Sequence, residues 1–266
     1  MVERRLIAIE GLVQGVGFRP FVYRLAAAHD LRGSVRNEGG GVLVDVEGEP
    51  DALESFVSGL AVAPPPSAVI DSILAAAAPP RQYGTLNIME SADASERSAL
   101  VLPDLATCDG CIAELFDPAD RRHRYPFITC TDCGPRFTIL DAVPFDRART
   151  TMAGFPMCAA CRGEYENPGD RRFHAQSIAC ADCGPTLRLE PMVKDSQAMR
   201  GESALAEAAE SLRRGEIVAL KGLGGFHLAC DATNGSAVCR LRMRKQRDAK
   251  PFAIMVGGLE EAGELC

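Results

Sequence analysis

Cys108-Asp109-Gly110-Cys111 and Cys130-Thr131-Asp132-Cys133-Gly134-Pro135 return fifty residues later as Cys158-Ala159-Ala160-Cys161 and Cys180-Ala181-Asp182-Cys183-Gly184-Pro185. In each copy 18 residues separate the two pairs. The copies, about 108–135 and 158–185, also share Glu114/Glu164, Pro118/Pro168, Asp120/Asp170, Arg121/Arg171, Arg122/Arg172 and Ile128/Ile178. Shared residues that are not thiols imply a duplicated fold rather than scattered cysteines.

Four thiolates in Cys-x-x-Cys pairs suit the closed tetrahedral coordination of structural zinc. Iron–sulfur clusters ordinarily show uneven cysteine spacing, and redox dithiols need no duplication. The module at 104–190 is therefore expected to hold two Zn2+ ions through Cys108, Cys111, Cys130, Cys133, Cys158, Cys161, Cys180 and Cys183. It has few large apolar residues, so the metal should hold it folded. The spacing leaves pairing open: each repeat closes its own site, the arrangement favoured here, or the outer pairs bind one ion and the inner pairs another. His123 and His174 are expected at the surface, and Arg121, Arg122 and Arg124 are expected to pair with Asp117 and Asp120 or face solvent.

Length and composition set the frame. The 266 residues suggest two or three domains. A net charge of −7 argues against a surface built throughout to grip nucleic acid, although six of the eleven residues from Arg240 to Lys250 are basic. No apolar run is long enough for a membrane helix, and the N-terminus lacks a secretory core, so no membrane partner and a cytoplasmic location are expected. Eleven cysteines in such a chain favour metal over disulfides.

Residues 1–90 read as one α+β unit. Leu6–Val13 suits a strand, and Pro20 opens a helix with Phe21, Leu25 and Ala28 on its apolar face. Leu31–Arg36 and Gly41–Glu47 suit a hairpin with one wet face, on which Leu43, Asp45 and Glu47 lie. A second helix at Pro50–Leu60 and strands at Val69–Leu74 and Leu86–Met89 complete a split β-α-β-β-α-β order, a ferredoxin-like arrangement. Between the first strand and helix runs Gln14-Gly15-Val16-Gly17-Phe18-Arg19. Two glycines here let backbone N–H groups converge at a helix N-terminus, and Arg19 adds a permanent, bidentate charge. That is an anion cradle, with no Walker motif.

The stretch Gly11–Arg19 followed by Val35-Arg36-Asn37 resembles the acylphosphatase family over residues 1–90. The resemblance implies that Gln14, Gly15, Val16, Gly17, Phe18 and Arg19 bind phosphate and that Arg19 and Asn37 are catalytic, with Asn37 orienting the attacking water. The implied reaction is metal-free hydrolysis of a carboxyl–phosphate anhydride.

After polar joins at 91–103 and 194–197, residues 200–266 read as the start of an α/β domain. A helix carrying Ala204, Leu205, Ala208, Ala209 and Leu212 ends at Gly215; a buried strand, Ile217–Leu220, leads to Lys221-Gly222-Leu223-Gly224-Gly225-Phe226. A basic helix at Arg240–Lys250 and an apolar strand at Pro251–Val256 follow, and the domain reads as truncated. Taken alone, a basic helical face is solvated surface. The stretch nevertheless looks like a YrdC-like domain, which implies ATP binding and carbonyl or carbamoyl adenylate chemistry through Lys221, Lys245, Arg247 and Lys250.

An acylphosphatase-like unit, a duplicated four-cysteine module and a partial YrdC-like unit, in that order, resemble the HypF family of hydrogenase-maturation carbamoyltransferases. The resemblance implies a further C-terminal domain, and the chain is expected to be an N-terminal fragment of that arrangement. The resemblance implies carbamoyl phosphate and ATP as substrates, and a HypE-type acceptor whose C-terminal cysteine becomes carbamoylated. The alternative from another class is a zinc-containing nucleic-acid-binding protein with a degenerate acylphosphatase fold.

Overall fold

In the computed structural model of the chain, residues 2–91, 102–192 and 197–265 are described. Most of the joins read at 91–103 and 194–197 lie outside that set. The chain divides into two compact units, Met1–Pro185 and Thr186–Cys266.

The first unit begins with β1 (Glu3–Leu12), α1 (Phe18–Ala28), β2 (Arg32–Glu38), β3 (Gly41–Gly48), α2 (Pro50–Val62), β4 (Val69–Ala78) and the short β5 (Leu86–Ile88). The sheet order is β4-β1-β3-β2-β5, antiparallel except for the β2–β5 edge. The ferredoxin-like arrangement follows from alternation: Ile7, Ile9, Val35, Val42, Val44 and Val46 point to one face, where α1 and α2 cover them with Phe18, Val22, Leu53, Phe56 and Leu60.

Two details differ from the sequence expectation. The helix starts at Phe18, two residues before Pro20, so its buried stripe is Phe18, Val22 and Ala26, while Ala28 is exposed. The outer face of β3 is also not wet. Asp45 accepts from Arg4 Nε and Nη2, both at 2.7 Å, and from the Tyr83 hydroxyl at 2.7 Å. Glu47 accepts the backbone N–H groups of Arg81, Gln82 and Tyr83. The segment after β4 folds across this face, so both acids are buried and ligated.

The remainder of the first unit is the cysteine module. Its two short helices, α3 (Asp109–Phe116) and α4 (Ala159–Glu166), begin right after the first cysteine of each copy. Its cores consist largely of the thiols, joined by Tyr125, Ile128 and Met152 in one copy and by Ala175 and Ile178 in the other.

The second unit carries the β6–β7 pair (Arg188–Leu189 with Met199–Arg200), α5 (Gly201–Arg213), the β8–β9 hairpin (Val218–Lys221 with Phe226–Ala229), α6 (Gly235–Arg244) and α7 (Leu259–Leu265). Gly215 follows the end of α5 at φ +78°, as expected of a C-terminal glycine. Three expectations fail here. Of β8 only Val218 is buried, since a two-stranded ribbon cannot bury both of its faces. Residues 251–256 form no strand, having no partner strand to pair with. The basic helix stops at Arg244, because Lys245 caps it and Gln246 turns at φ +48°.

Losing the Asp45 carboxylate strands a buried guanidinium. Asp45→Ala is expected to cost about 3 kcal/mol or more in denaturant unfolding. Removing Glu38 from its exposed 3.2 Å pair with Arg36 should cost at most about 0.5 kcal/mol.

Candidate active site and metal centres

The eight cysteines assemble as two clusters, Cys108/Cys111/Cys130/Cys133 and Cys158/Cys161/Cys180/Cys183, so each repeat closes its own site. Sulfur–sulfur separations are 3.6, 3.8 and 3.5 Å around the first and 3.8, 3.8 and 3.6 Å around the second. A tetrahedron with metal–sulfur bonds of about 2.3 Å has edges of about 3.8 Å, so both donor sets fit a zinc ion with no open position. They are structural zinc-finger modules.

The shared arginines do not pair as the sequence reading expected. Arg121 and Arg122 reach across to the other finger: Arg121 Nε donates to Glu164 at 3.0 Å and its Nη2 to the Cys161 sulfur at 2.8 Å. Arg122, 1% exposed, donates to Glu164 and to the Ala179 carbonyl. The second copy returns every contact, with Arg171 and Arg172 on Glu114, Arg171 on the Cys111 sulfur, and Arg172 on the Thr129 carbonyl. Within each copy Asp120 and Asp170 accept the backbone N–H of Arg122 and Arg172. The physical reason is charge. Four thiolates around a divalent ion leave two net negative charges, and a guanidinium offsets them best from outside the metal's first ring of ligands. Burial opposes ionisation of Glu114, but Arg172 and Arg171 override it and hold its carboxyl down at about 2.

Beside the first cysteine cluster lies the anion cradle. Gly15 and Gly17 both adopt left-handed backbone, at φ +73° and +75°, which lets the loop turn its N–H groups inward before α1. The N–H groups of Phe18 and Arg19, in the first turn, have no intrahelical acceptor. Asn37, at the end of β2, is 1% exposed, and neither its Oδ1 nor its Nδ2 meets a partner among the described residues. Gln14 and Val16 do not line this cavity. Gln14 Nε2 donates to the Gly39 and Gly41 carbonyls, which ties the loop to the β2–β3 hairpin, and Val16 is core.

The zinc module covers the cradle. Arg136 donates from Nε to the Gly15 carbonyl and from its other nitrogens to Thr131, Cys133 and Pro135 carbonyls, and it stacks on Phe145. Arg19 donates to Asp146 at 2.6 Å and to Ser91 at 3.4 Å. Phe173 packs edge-on against Tyr23 of α1. His174 is half-buried rather than free at the surface. Phe173 meets it edge-on and Tyr165 lies tilted against it, and burial, with help from the Arg19 charge, pushes it down to about 4. The repeat itself carried no signal that singles these residues out, since 15 of its 28 aligned positions differ between copies. His123/Phe173, Arg124/His174, Pro126/Gln176 and Thr131/Ala181 differ between copies, and members of these pairs face the cradle domain.

In the second unit Lys221 ends β8 with its ammonium over the Phe226 ring. Arg247 stacks on Phe252, while Arg242 ties the following turn through the carbonyls of Arg247, Asp248 and Lys250. Lys245 and Lys250 are exposed in that turn. Among the described residues, no hydrogen bond or ring contact joins Lys221 to this group.

A ferredoxin-like sheet with a double-glycine loop and paired four-cysteine fingers share one compact unit. Family models agree along the chain: acylphosphatase over residues 6–85, HypF finger over 107–140 and 157–190, and telomere recombination (the Sua5/YciO/YrdC group) over 210–266. The carbamoyltransferase HypF2 of Cupriavidus necator is 54% identical over 264 residues, 97% of this chain and 32% of that protein. The HypF of Synechocystis is 51% identical over 99% of this chain and 34% of its own. A solved full-length HypF in a phosphate- and nucleotide-bound form superposes with TM-score 0.89 at 43% identity, covering 99% of this chain and 34% of that one. The chain belongs to the HypF carbamoyltransferase family. It spans about a third of the length of the relatives it matches.

The crossed arginines give a test of metal retention. Arg122→Met should loosen zinc in the second finger, Cys158–Cys183, by about 10-fold or more in chelator competition. Selective loss from Cys108–Cys133 would contradict the crossed wiring. His174 gives a pH test. Its folded value lies below the ordinary 6.5, so its contribution is complete above pH 6.5 and is lost as pH falls toward 4. His174→Gln removes this dependence, so the parent should lose ground to the variant in thermal unfolding at pH 5 relative to pH 7, by about 2 °C or more.

Proposed function

We propose that this chain carries the first two steps of carbamoyl transfer in hydrogenase maturation. Carbamoyl phosphate binds with its phosphoryl group on the loop between β1 and α1, held by the Arg19 guanidinium and by the N–H groups at Gly15, Gly17, Phe18 and Arg19. Asn37 orients a water for attack on phosphorus. The bond to the acyl oxygen breaks, phosphate forms, and carbamate leaves as an anion that needs no general acid. The donors are fixed before substrate arrives, which is the economical way to stabilise charge developing in a transition state.

Carbamate is short-lived in water, so a shielded second step suits it. In that step carbamate attacks the α-phosphorus of ATP and expels pyrophosphate, giving carbamoyl adenylate. We assign it to the second unit and to Lys221, Lys245, Arg247 and Lys250. The matching family model at residues 210–266 and the nucleotide bound by the related full-length HypF support this. Transfer to the C-terminal cysteine of a HypE-type acceptor is assigned to the two-thirds of the family's length beyond this chain. We place the reaction in the cytoplasm, where the cysteine ligands stay reduced; no helix among the described residues is long and apolar enough to cross a membrane.

The observation that carries this reading is the buried Asn37 amide, without a partner among the described residues and facing the same cavity as Arg19 and the glycine loop. A buried amide left unsatisfied by its own fold is costly unless a ligand completes it. Arg19→Ala and Asn37→Ala should each lower kcat/KM for phosphate release from carbamoyl phosphate by about 100-fold or more while retaining zinc. Parent rates in both variants would remove the site assignment.

A further inference from the structure

The cradle opens directly onto the zinc module. A Cβ built at Gly15 would stand 3.4 Å from both Arg136 and Phe145, and one at Gly17 would stand 3.1 Å from Thr131. The module is therefore in van der Waals contact with the rim of the loop. The cavity left between loop and module is about 30 Å3, room for two or three water-sized spheres. Its far wall is stiff. Gln176 donates to the His174 carbonyl at 2.6 Å and to the Tyr165 hydroxyl at 3.1 Å, and accepts the Arg147 N–H at 2.9 Å. Arg136 spends its guanidinium on four carbonyls, and Phe145 lies under it at 5.6 Å. Beyond Arg19, His174 and Gln176, which belong to both spaces, lies a wider cleft of about 420 Å3 lined also by Asp146 and Arg149.

A phosphoryl group held by Arg19 and the glycine loop directs its acyl substituent away from the loop, which here means into the module. We propose that Thr131, Arg136, Phe145, His174 and Gln176 of the zinc module are the specificity-determining residues of the acyl phosphate site. They admit acyl groups of carbamoyl or acetyl size and reject longer or aromatic ones. The inference rests on the acyl phosphate reading above and adds to it the substrate size class and the residues that set it. The module thereby acquires a role its closed metal sites do not have by themselves.

The size limit is tested on the zinc-loaded chain with carbamoyl, acetyl, butyryl and benzoyl phosphates, followed by inorganic phosphate release. Carbamoyl and acetyl phosphates should be cleaved with kcat/KM about 100-fold or more above benzoyl phosphate, since one misplaced methylene already costs about 10-fold or more in a rigid pocket. Phe145→Ala should narrow the acetyl-to-benzoyl ratio at least 10-fold with two zinc ions retained. Benzoyl phosphate cleaved within 10-fold of acetyl phosphate by the parent overturns the inference and leaves the catalytic reading standing. So does an unchanged ratio in a Phe145→Ala chain that keeps its zinc. If that variant loses zinc, the parent's own size series decides. If no acyl phosphate is cleaved, the catalytic reading falls and the inference with it.

Discussion

Arg122 and Arg172 are guanidiniums buried inside a module that has almost no apolar core, and each belongs to one finger while serving the other. That exchange is the constraint on which the rest of the first unit depends. Two small tetrathiolate sites standing alone would be two loosely linked knots. Crossing the arginines makes each finger's charge balance depend on the other's position. The Glu114 and Glu164 carboxylates then fix the guanidiniums in orientation, because a planar fork between a carboxylate and a sulfur has little freedom left. The result is a rigid body built from polar contacts, which is what a surface that must hold its shape over a reaction site requires.

The cradle supplies the complementary half. Its ferredoxin-like sheet is conventionally packed, and its own contribution to the site is backbone: a left-handed double-glycine loop, a helix start and one asparagine. The proposed limit on acyl size is assigned to the other half. The limit comes from Arg136, whose guanidinium links the Gly15 carbonyl to three carbonyls of the finger, and from Asp146, which holds Arg19 from the opposite side. The ion pair with Asp146 holds Arg19 in place; in the proposed reaction the phosphoryl group shares or displaces that contact.

Much of this was legible in the sequence. The cysteine spacing and its fifty-residue return gave the two fingers, and alternation in Ile7, Ile9, Val42, Val44 and Val46 gave the sheet and its buried face. Helix-face and strand readings failed where they relied on local pattern alone. Asp45 and Glu47 look like wet-face residues until the segment at 79–83 crosses them, a contact made by residues more than thirty positions away. Arg121 and Arg122 have Asp117 and Asp120 close in sequence, yet their true partner, Glu164, lies more than forty residues on. In the second unit, strand-like apolar composition at Pro251–Val256 produced no strand, since a strand exists only where another offers it hydrogen bonds.

Sequence by itself determined the chemistry available: eight thiols in two equivalent sets, an arginine and an asparagine at fixed places around a glycine loop, and the ferredoxin-like order of elements. These are local properties, set by residue type and short-range spacing. Only the tertiary structure decided which thiols close on which metal, that each finger is neutralised by its sibling, and that the second finger's His174 and Gln176 stand over a loop some 160 residues earlier in the chain. Those outcomes depend on long-range packing and on the balance between burying a charge and pairing it, and no spacing rule encodes that balance.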